Sequence, residues 1–443
     1  MSPRAPLAAA LALPLALTLA LTLAPRLAAA ALTWQPCAAS TLGDAFGPWR
    51  CVSAITAPGD LEDRWANTAR LDGDTMLLGQ AIADDPLLSE WVVVERANGE
   101  WSERTRLLAR RDADVQLRGD AIAILDRDDL DQGPRLQLYD RIDGAWTPTL
   151  SLDLPSSAGE LPLALTDERV FIAVPGPPWS VRIHHRIGGA WSEEATVTLA
   201  VPDPESKYAP TLAADRDRLV AAFGDVVHVF RADGTWSEET TLVPDPLASP
   251  PEAESASIAL DGDRLAVATA GGDPGDHSKV LVYSPCAVDG GWGVDAVLDV
   301  PPAPTKPTLF LADGRLLVNT HEVVGPPGVF IGSARVFSAR DGWALEAELF
   351  TPESHSNLEF AVDAFDGDAL LADLHPATEP YFYSFELYTR PADDRPDEGT
   401  CEPDPGTPGA DDPSGCGCTT TTTAPSSLLL LLTAAALRRR RRP

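Results

Sequence analysis

The chain has 443 residues, 44% of them apolar, with 66 acidic against 34 basic side chains and a formal net charge of −32. That apolar content is ample for a sizeable core or for several small ones. A surface so acidic repels nucleic acid and anionic lipid, which argues against either as a partner.

Residues 1–31 read as an export leader. Arg4 sits in a short basic start, Leu7–Ala24 is apolar, and Ala28–Ala31 offers small residues to a signal peptidase. Cleavage is expected near Ala30 or Ala31. Leader and C-terminal tail together hold seven arginines and no acids, so the region between them carries 27 basic against 66 acidic residues, a net of −39. Residues 32–48 form an entry segment. An exported chain with six cysteines invites disulfides, and Cys37 and Cys51, flanking the start of the fold, are the favoured pair. Cys286 and Cys401 could pair only if the later linker folds back.

From residue 49 to residue 390 the sequence repeats. Trp49, Trp101, Trp146, Trp191, Trp236, Trp292 and Trp343 stand 52, 45, 45, 45, 56 and 51 residues apart, a period typical of repeat architectures. Six of the seven follow an alternating apolar run and a glycine turn, such as Asn98-Gly99, Asp143-Gly144, Gly188-Gly189 and Asp233-Gly234. These are hairpin signals, because type I′ turns need positive φ at both central residues.

Earlier in each unit stands a second tight turn: Leu71–Asp74, Leu117–Asp120, Leu165–Glu168, Ala214–Asp217, Leu260–Asp263, Leu311–Gly314 and Phe365–Asp368. An apolar strand covered on both faces follows each one, as in Ala121–Leu125 or Leu219–Phe223. Four antiparallel strands per 45–55 residues is one blade of a β-propeller. The expectation is therefore an all-β, seven-bladed β-propeller. After Tyr383–Tyr388 no tryptophan strand follows, whereas Trp49–Thr56 is spare at the start. The N-terminal strand should complete the last blade and remove an exposed edge.

Residues 391–414 are rich in Pro, Asp and Gly and read as a linker. Residues 415–443 hold Gly415-Cys416-Gly417-Cys418, five threonines, the apolar Leu428–Leu437 and the arginines Arg438–Arg442. The apolar stretch is too short to span a bilayer of ~30 Å comfortably. Together these features resemble the MYXO-CTERM sorting tag of surface proteins, although the leucine run is brief for one. The resemblance implies processing by a sorting protease near Cys416 and Cys418, display at the cell surface or outer membrane, or release from it, and membrane contact only through this C-terminal anchor.

The repeats themselves resemble the FG-GAP, integrin-α-like propeller repeat. They share Leu-Asp-Gly-Asp before a Val/Leu-rich strand, and Gly-x-Trp-x-x-Glu as in Gly99–Glu103 and Gly234–Glu238. Most of the family's phenylalanine-glycine and glycine-alanine-proline signatures are missing. Propellers of that family often hold calcium in Asp-rich loops. Here Asp126, Asp128, Asp129 and Asp131 share one loop, at spacings able to gather oxygens at 2.3–2.6 Å. A solvated acidic loop is the simpler reading, since the loop lacks Asp-x-Asp-x-Asp-Gly and follows the second strand of its blade.

The Asp-Gly-Asp turns read as hairpin chemistry. Arg118-Gly119-Asp120 reads as one more such turn and not as a recognition tripeptide. The seven histidines are scattered, and no nucleophile or phosphate-cradling motif is present. His321-Glu322 and His375 could share a mouth of the ring. The sequence thus favours an exported, non-catalytic binding or structural module with no required cofactor, calcium aside, whose partner is a surface protein or glycan. The competing class is a secreted hydrolase or lyase with its site at the ring's centre.

Overall fold

A computed structural model describes residues 33–35, 49–56 and 65–390, without 83–84, 127–132, 156–160, 201–208, 225, 245–255, 270–277, 286–290, 301–306, 324–329, 351–357, 368 and 377–383. Every regular element among them is a strand, apart from one short 3-10 turn at Ala339–Asp341.

Two strands open the chain, β1 (Thr33–Gln35) and β2 (Arg50–Thr56). Blade 1 follows as β3 (Trp65–Asp72), β4 (Thr75–Ile82), β5 (Asp85–Ala97) and β6 (Glu100–Arg110). Blade 2 is β7 (Asp114–Arg118), β8 (Ala121–Asp126), β9 (Arg135–Ile142) and β10 (Ala145–Asp153). Blade 3 is β11 (Leu163–Leu165), β12 (Arg169–Val174), β13 (Ser180–Ile187) and β14 (Ala190–Thr198). Blade 4 is β15 (Thr211–Asp215), β16 (Arg218–Phe223), β17 (Val226–Asp233) and β18 (Thr235–Leu242). Blade 5 is β19 (Ser257–Asp261), β20 (Arg264–Thr269), β21 (Ser278–Pro285) and β22 (Trp292–Val300). Blade 6 is β23 (Thr308–Ala312), β24 (Arg315–Val323), β25 (Phe330–Ser338) and β26 (Ala344–Phe350). The last strands are β27 (Leu358–Asp366), β28 (Ala369–Pro376) and β29 (Ser384–Thr389).

Each blade is an antiparallel four-stranded meander. Their first strands touch in a closed circuit, β3 to β7, β11, β15, β19, β23, β27 and back to β3. A circuit of this kind around an axis is a β-propeller. The second strands are buried on both faces, as their apolar runs require; Arg218–Phe223 is covered along its whole length. The core is accordingly divided among the gaps between neighbouring sheets. Val220 and Val229, for instance, pack with Leu265 and Val267 of the next blade.

The sheet that joins the chain ends departs from the expected repeat. It has five strands, in the order β1-β2-β29-β28-β27. β2 lies antiparallel to β29, from Arg50 opposite Thr389 to Thr56 opposite Ser384. β1, inside the stretch read as an entry segment, then adds outside β2 with Thr33 opposite Thr56. Six sheets are therefore regular four-stranded blades, and the expectation of an identical seventh is corrected: the extra strand covers an edge that β2 alone would leave unpaired.

A repeated irregularity marks β2 as a fourth strand. In every third–fourth strand pair the register slips by one residue on the fourth strand, at Arg104, Thr149, Glu194, Glu239, Asp295 and Glu346. The β2–β29 pair slips likewise at Val52. In the six blades the slipped residue lies three positions after the repeating tryptophan, and Val52 lies three after Trp49. A bulge at a fixed place bends the strand and re-aims that one side chain.

The turns largely follow their sequences. Asn98-Gly99, Asp143-Gly144 and Gly188-Gly189 have positive φ at both residues, as type I′ hairpins require. At Asp233-Gly234 only the glycine does, and in blade 6 the positive pair is Gly342-Trp343, after the 3-10 turn. The blade 6 inner turn also shifts by one: Ala312 pairs with Arg315, so Asp313-Gly314 is the central pair and Ala312 stands where blades 1, 4 and 5 carry Asp.

Candidate functional site at the propeller axis

The turns between first and second strands bring one side chain per sheet to the central opening. The residues that close these hairpins on the first-strand side are Asp72, Arg118, Thr166, Asp215, Asp261, Ala312 and Asp366. A two-residue hairpin does not itself need an aspartate there, and the structure shows what these carboxylates do. Asp366 Oδ2 accepts the Gly73 N–H at 2.6 Å, and Asp72 Oδ2 accepts that of Gly119. Asp215 Oδ2 accepts the Gly262 N–H at 2.8 Å, and Asp261 Oδ2 that of Gly314 at 3.3 Å. Each bond runs from one sheet's aspartate to the next sheet's turn.

Glycine is required in two of these turns for two reasons at once. Gly119 has φ +52°, and a Cβ there would lie 2.5 Å from Asp167 Oδ1; Gly367 has φ +52°, and a Cβ would lie 2.6 Å from Asp313 Oδ2. Positive φ and a neighbouring carboxylate both exclude a side chain.

Arg118 breaks the column of aspartates. Its guanidinium donates to Asp72 Oδ1 at 3.4 Å and to Asp215 Oδ1 at 3.3 Å. Asp72 belongs to blade 1 and Asp215 to blade 4, so the pair of bonds spans the opening. Burial pushes the Asp72, Asp261 and Asp366 carboxyls above the ordinary range, and neighbouring acids add to it: Asp167 for Asp72, Asp215 and Asp313 for Asp261, Asp72 and Asp313 for Asp366. The turn N–H groups and Arg118 pull the other way. For Arg118, burial opposes its charge, but Asp72 and Asp215 outweigh it and hold the guanidinium protonated.

Farther out, acids at the bulges brace arginines of their own blades, some of which reach the next blade. Glu194, Glu239 and Glu346 pair with Arg169, Arg218 and Arg315 at 2.8–3.1 Å, each arginine opening the second strand of its own blade. Arg169 lies over the Trp236 ring of the following blade, Arg218 over Trp292, and Arg264 over Trp343, at 5.3–6.0 Å. Blades 1 and 2 begin their second strands with Thr75 and Ala121, and their third strands answer with an acid. Glu95 then accepts the Trp146 indole N–H at 2.9 Å and pairs with Arg141, whereas Asp140 accepts that of Trp191 at 2.9 Å and pairs with Arg186.

The residues singled out from sequence are distributed differently. The Asp126 carboxylate accepts the Arg110 backbone N–H at 2.8 Å, and burial pushes its carboxyl up. Asp128, Asp129 and Asp131, the rest of the candidate calcium loop, lie outside the described residues, as do Cys37, Cys416, Cys418, Cys286 and Cys401. Cys51 is on β2, opposite Tyr388. His321 and His375 are on β24 and β28, with their side chains outside the description. His184 and His228 are buried on third strands. Among the described residues no three His, Cys, Asp or Glu side chains are placed to hold a metal ion.

The axial role of Arg118 and the pairing of bulge acids with second-strand arginines were not anticipated. Both had a signal. Arg118 is a cation in a column of aspartates, and arginine opens the second strand in four consecutive blades.

The sequence matches no known protein-family profile and no curated protein. Among solved structures, the β-propeller domain of the Trilobed protease from Pyrococcus furiosus is 11% identical, covering 72% of this chain and 91% of that one, with a TM-score of 0.44. A functionally unknown protein from Desulfotomaculum acetoxidans is 10% identical over 67% of this chain and 95% of its own, at 0.43. A Pyrococcus horikoshii acylaminoacyl peptidase is 10% identical over 73% of this chain and 52% of its own, at 0.42. These likenesses are distant, and the architecture described above rests on the strand registers themselves.

Proposed function

We propose that this chain is an exported propeller of seven blades, the sheet of chain ends counted as the seventh, that serves as a non-catalytic binding or structural module. Residues 415–443 anchor it at the cell surface after recognition by a sorting protease, in keeping with the MYXO-CTERM resemblance, and its partner is a surface protein or glycan. The FG-GAP resemblance of the repeats agrees with a recognition role. A Cys37–Cys51 disulfide would tie down the segment that joins β1 to β2.

One observation carries the non-catalytic reading. The axial carboxylates Asp72, Asp215, Asp261 and Asp366 are each committed to a neighbouring turn's backbone N–H. A general acid or base needs a proton-accepting atom free to reach substrate; here one oxygen of each carboxylate joins two sheets, and the other oxygens of Asp72 and Asp215 hold Arg118.

The test is made on the full chain expressed with its leader and tail. Intact cells are treated with protease, the released protein is weighed by mass spectrometry, and the purified protein is offered glycan arrays and hydrolase substrate panels. Surface release, a mass lacking residues near both ends, and glycan or protein capture without turnover are expected. Turnover abolished by Asp215→Asn would overturn the reading in favour of a secreted hydrolase or lyase.

A further inference from the structure

We infer that Arg118 is the internal counter-ion of the axial carboxylates, one cation that ties blades 1, 2 and 4 together across the central opening and makes the ring's cohesion depend on pH.

The geometry leads there in three steps. The aspartates cannot turn away from one another, because one oxygen of each is held by the next sheet's turn: Oδ2 of Asp72 by Gly119, of Asp215 by Gly262, of Asp366 by Gly73. Asp167 and Asp313 add two more carboxylates beside Gly119 and Gly367. Like charges fixed around one opening repel, more so where burial limits screening by solvent.

Next, Arg118 is the cation that answers them. It bonds to Asp72 and Asp215 through the Oδ1 atoms that the turns leave over, and Asp167 and Asp366 also act on its charge. The other arginines near this end are engaged elsewhere. Arg264 reaches the Gly314 turn but lies over Trp343, and Arg218 is tied to Glu239 and Asp263. Arg216 is 3.8 Å from Asp215, with its side chain 83% exposed to solvent.

Last, the bridge joins sheets that are not neighbours. Blade 3 separates blade 2 from blade 4, so no strand pairing or packing face makes this connection. A lysine could keep the charge but not both bonds, because its ammonium is a point and the guanidinium a fork.

The test compares Arg118→Met, Arg118→Lys and the double variant Arg118→Met/Asp215→Asn with the parent, by thermal unfolding at pH 7.5 and pH 5. Arg118→Met is expected to lower the Tm by about 4 °C at pH 7.5, to show a smaller deficit at pH 5, and to recover in the double variant. The asparagine keeps an oxygen for the Gly262 N–H while removing one charge. A deficit equal at both pH values and unmoved by Asp215→Asn, or no deficit at all, overturns the inference. Should Arg118→Met not yield folded protein, recovery of folding in the double variant supports the inference, and failure of the double variant while Arg118→Lys folds normally overturns it.

Discussion

Two sets of carboxylates stand at different radii of this ring, and they answer to opposite electrostatics. At the axis, burial and crowding by other acids push Asp72, Asp261 and Asp366 up, so folding disfavours their ionised form. On the fourth strands the shifts go down. Glu193 is lowered first by its hydrogen bond from Arg182. For Glu194, burial is outweighed by Arg169 and Trp236; for Glu238, it is outweighed by His228 and Thr241. The difference lies in the partner. An axial aspartate is met mainly by a neutral N–H, which fixes it without cancelling its charge, whereas the outer glutamates are met by arginine or histidine. Geometric closure and charge balance are separate problems here, solved at different radii.

The largest expected effect comes from removing an outer fastener. Asp140 is 3% exposed and holds both Arg186 and the Trp191 indole of the next blade. Asp140→Ala leaves a buried N–H without its acceptor and Arg186 with only the Asp167 carbonyl oxygen, which should cost about 3 kcal/mol, the low end for deleting one partner of a buried pair. Urea unfolding should show that loss, and Asp140→Asn should show a smaller one, since the amide oxygen still serves the indole. A loss under 1 kcal/mol for Asp140→Ala would mean that the interface repacks without the pair.

Next in size is a pair of glycine variants at the axis. Gly73 and Gly119 share a positive φ, but a Cβ at Gly73 meets nothing within 4 Å, whereas at Gly119 it meets Asp167. Gly73→Ala should cost about 1–2 kcal/mol for the backbone alone. Gly119→Ala should cost more, and the excess measures how rigidly Asp167 is held. Equal losses would show that the Asp167 side chain moves aside freely.

How much of this was legible follows from how local each signal is. Asn98-Gly99 and Leu71–Asp74 announce their hairpins within four residues, and a fully covered stretch such as Leu219–Phe223 shows as an unbroken apolar run. The pairing of β2 with β29 came from counting strands, because a repeat that starts one strand early must end one strand short. Arg118 was absorbed into turn chemistry since its partners, Asp72 and Asp215, lie 46 and 97 positions away. The bulge acids escaped for a different reason: strict alternation predicts the face of every strand residue except the one that breaks the alternation. Leu311–Gly314 shows the opposite error, where an Asp-Gly pair looks the same in either register and only the pairing of Ala312 with Arg315 decides.

The two sets of carboxylates predict a pH profile with a turning point. The folded-state pKa of the axial aspartates lies above the unfolded value of 3.8, so protons favour the folded ring: stability from this set falls as pH rises through the raised pKa values, and is greatest below 3.8. For Glu193, Glu194 and Glu238 the folded pKa lies below 4.5, so their contribution is present above that value and lost as pH falls through the depressed values. Thermal unfolding from pH 8 to pH 3 should therefore show a maximum on the acid side of neutrality. Asp261→Asn with Asp366→Asn should flatten the slope on the neutral side of that maximum while leaving the acid limb unchanged. An unchanged neutral slope would remove the axial set as its cause.

The smallest effect separates backbone strain from contact at the same turn position. Arg216 and Asp313 both have φ of 50°, where other turns carry glycine. A side-chain-bearing residue in the left-handed region costs about 1–2 kcal/mol, and glycine returns part of that through its looser unfolded chain. Arg216 is largely in solvent, and its 3.8 Å approach to Asp215 is an exposed contact of little worth. Arg216→Gly should thus stabilise the protein by about 0.5 kcal/mol. Asp313→Gly relieves the same strain, but Asp313 is the carboxylate that closes on Gly367. Its gain should be cancelled or reversed in chemical denaturation. If both variants gained equally, the Asp313 carboxylate would carry no part of the closure, and the axial link between blade 6 and the sheet of chain ends would rest on packing alone.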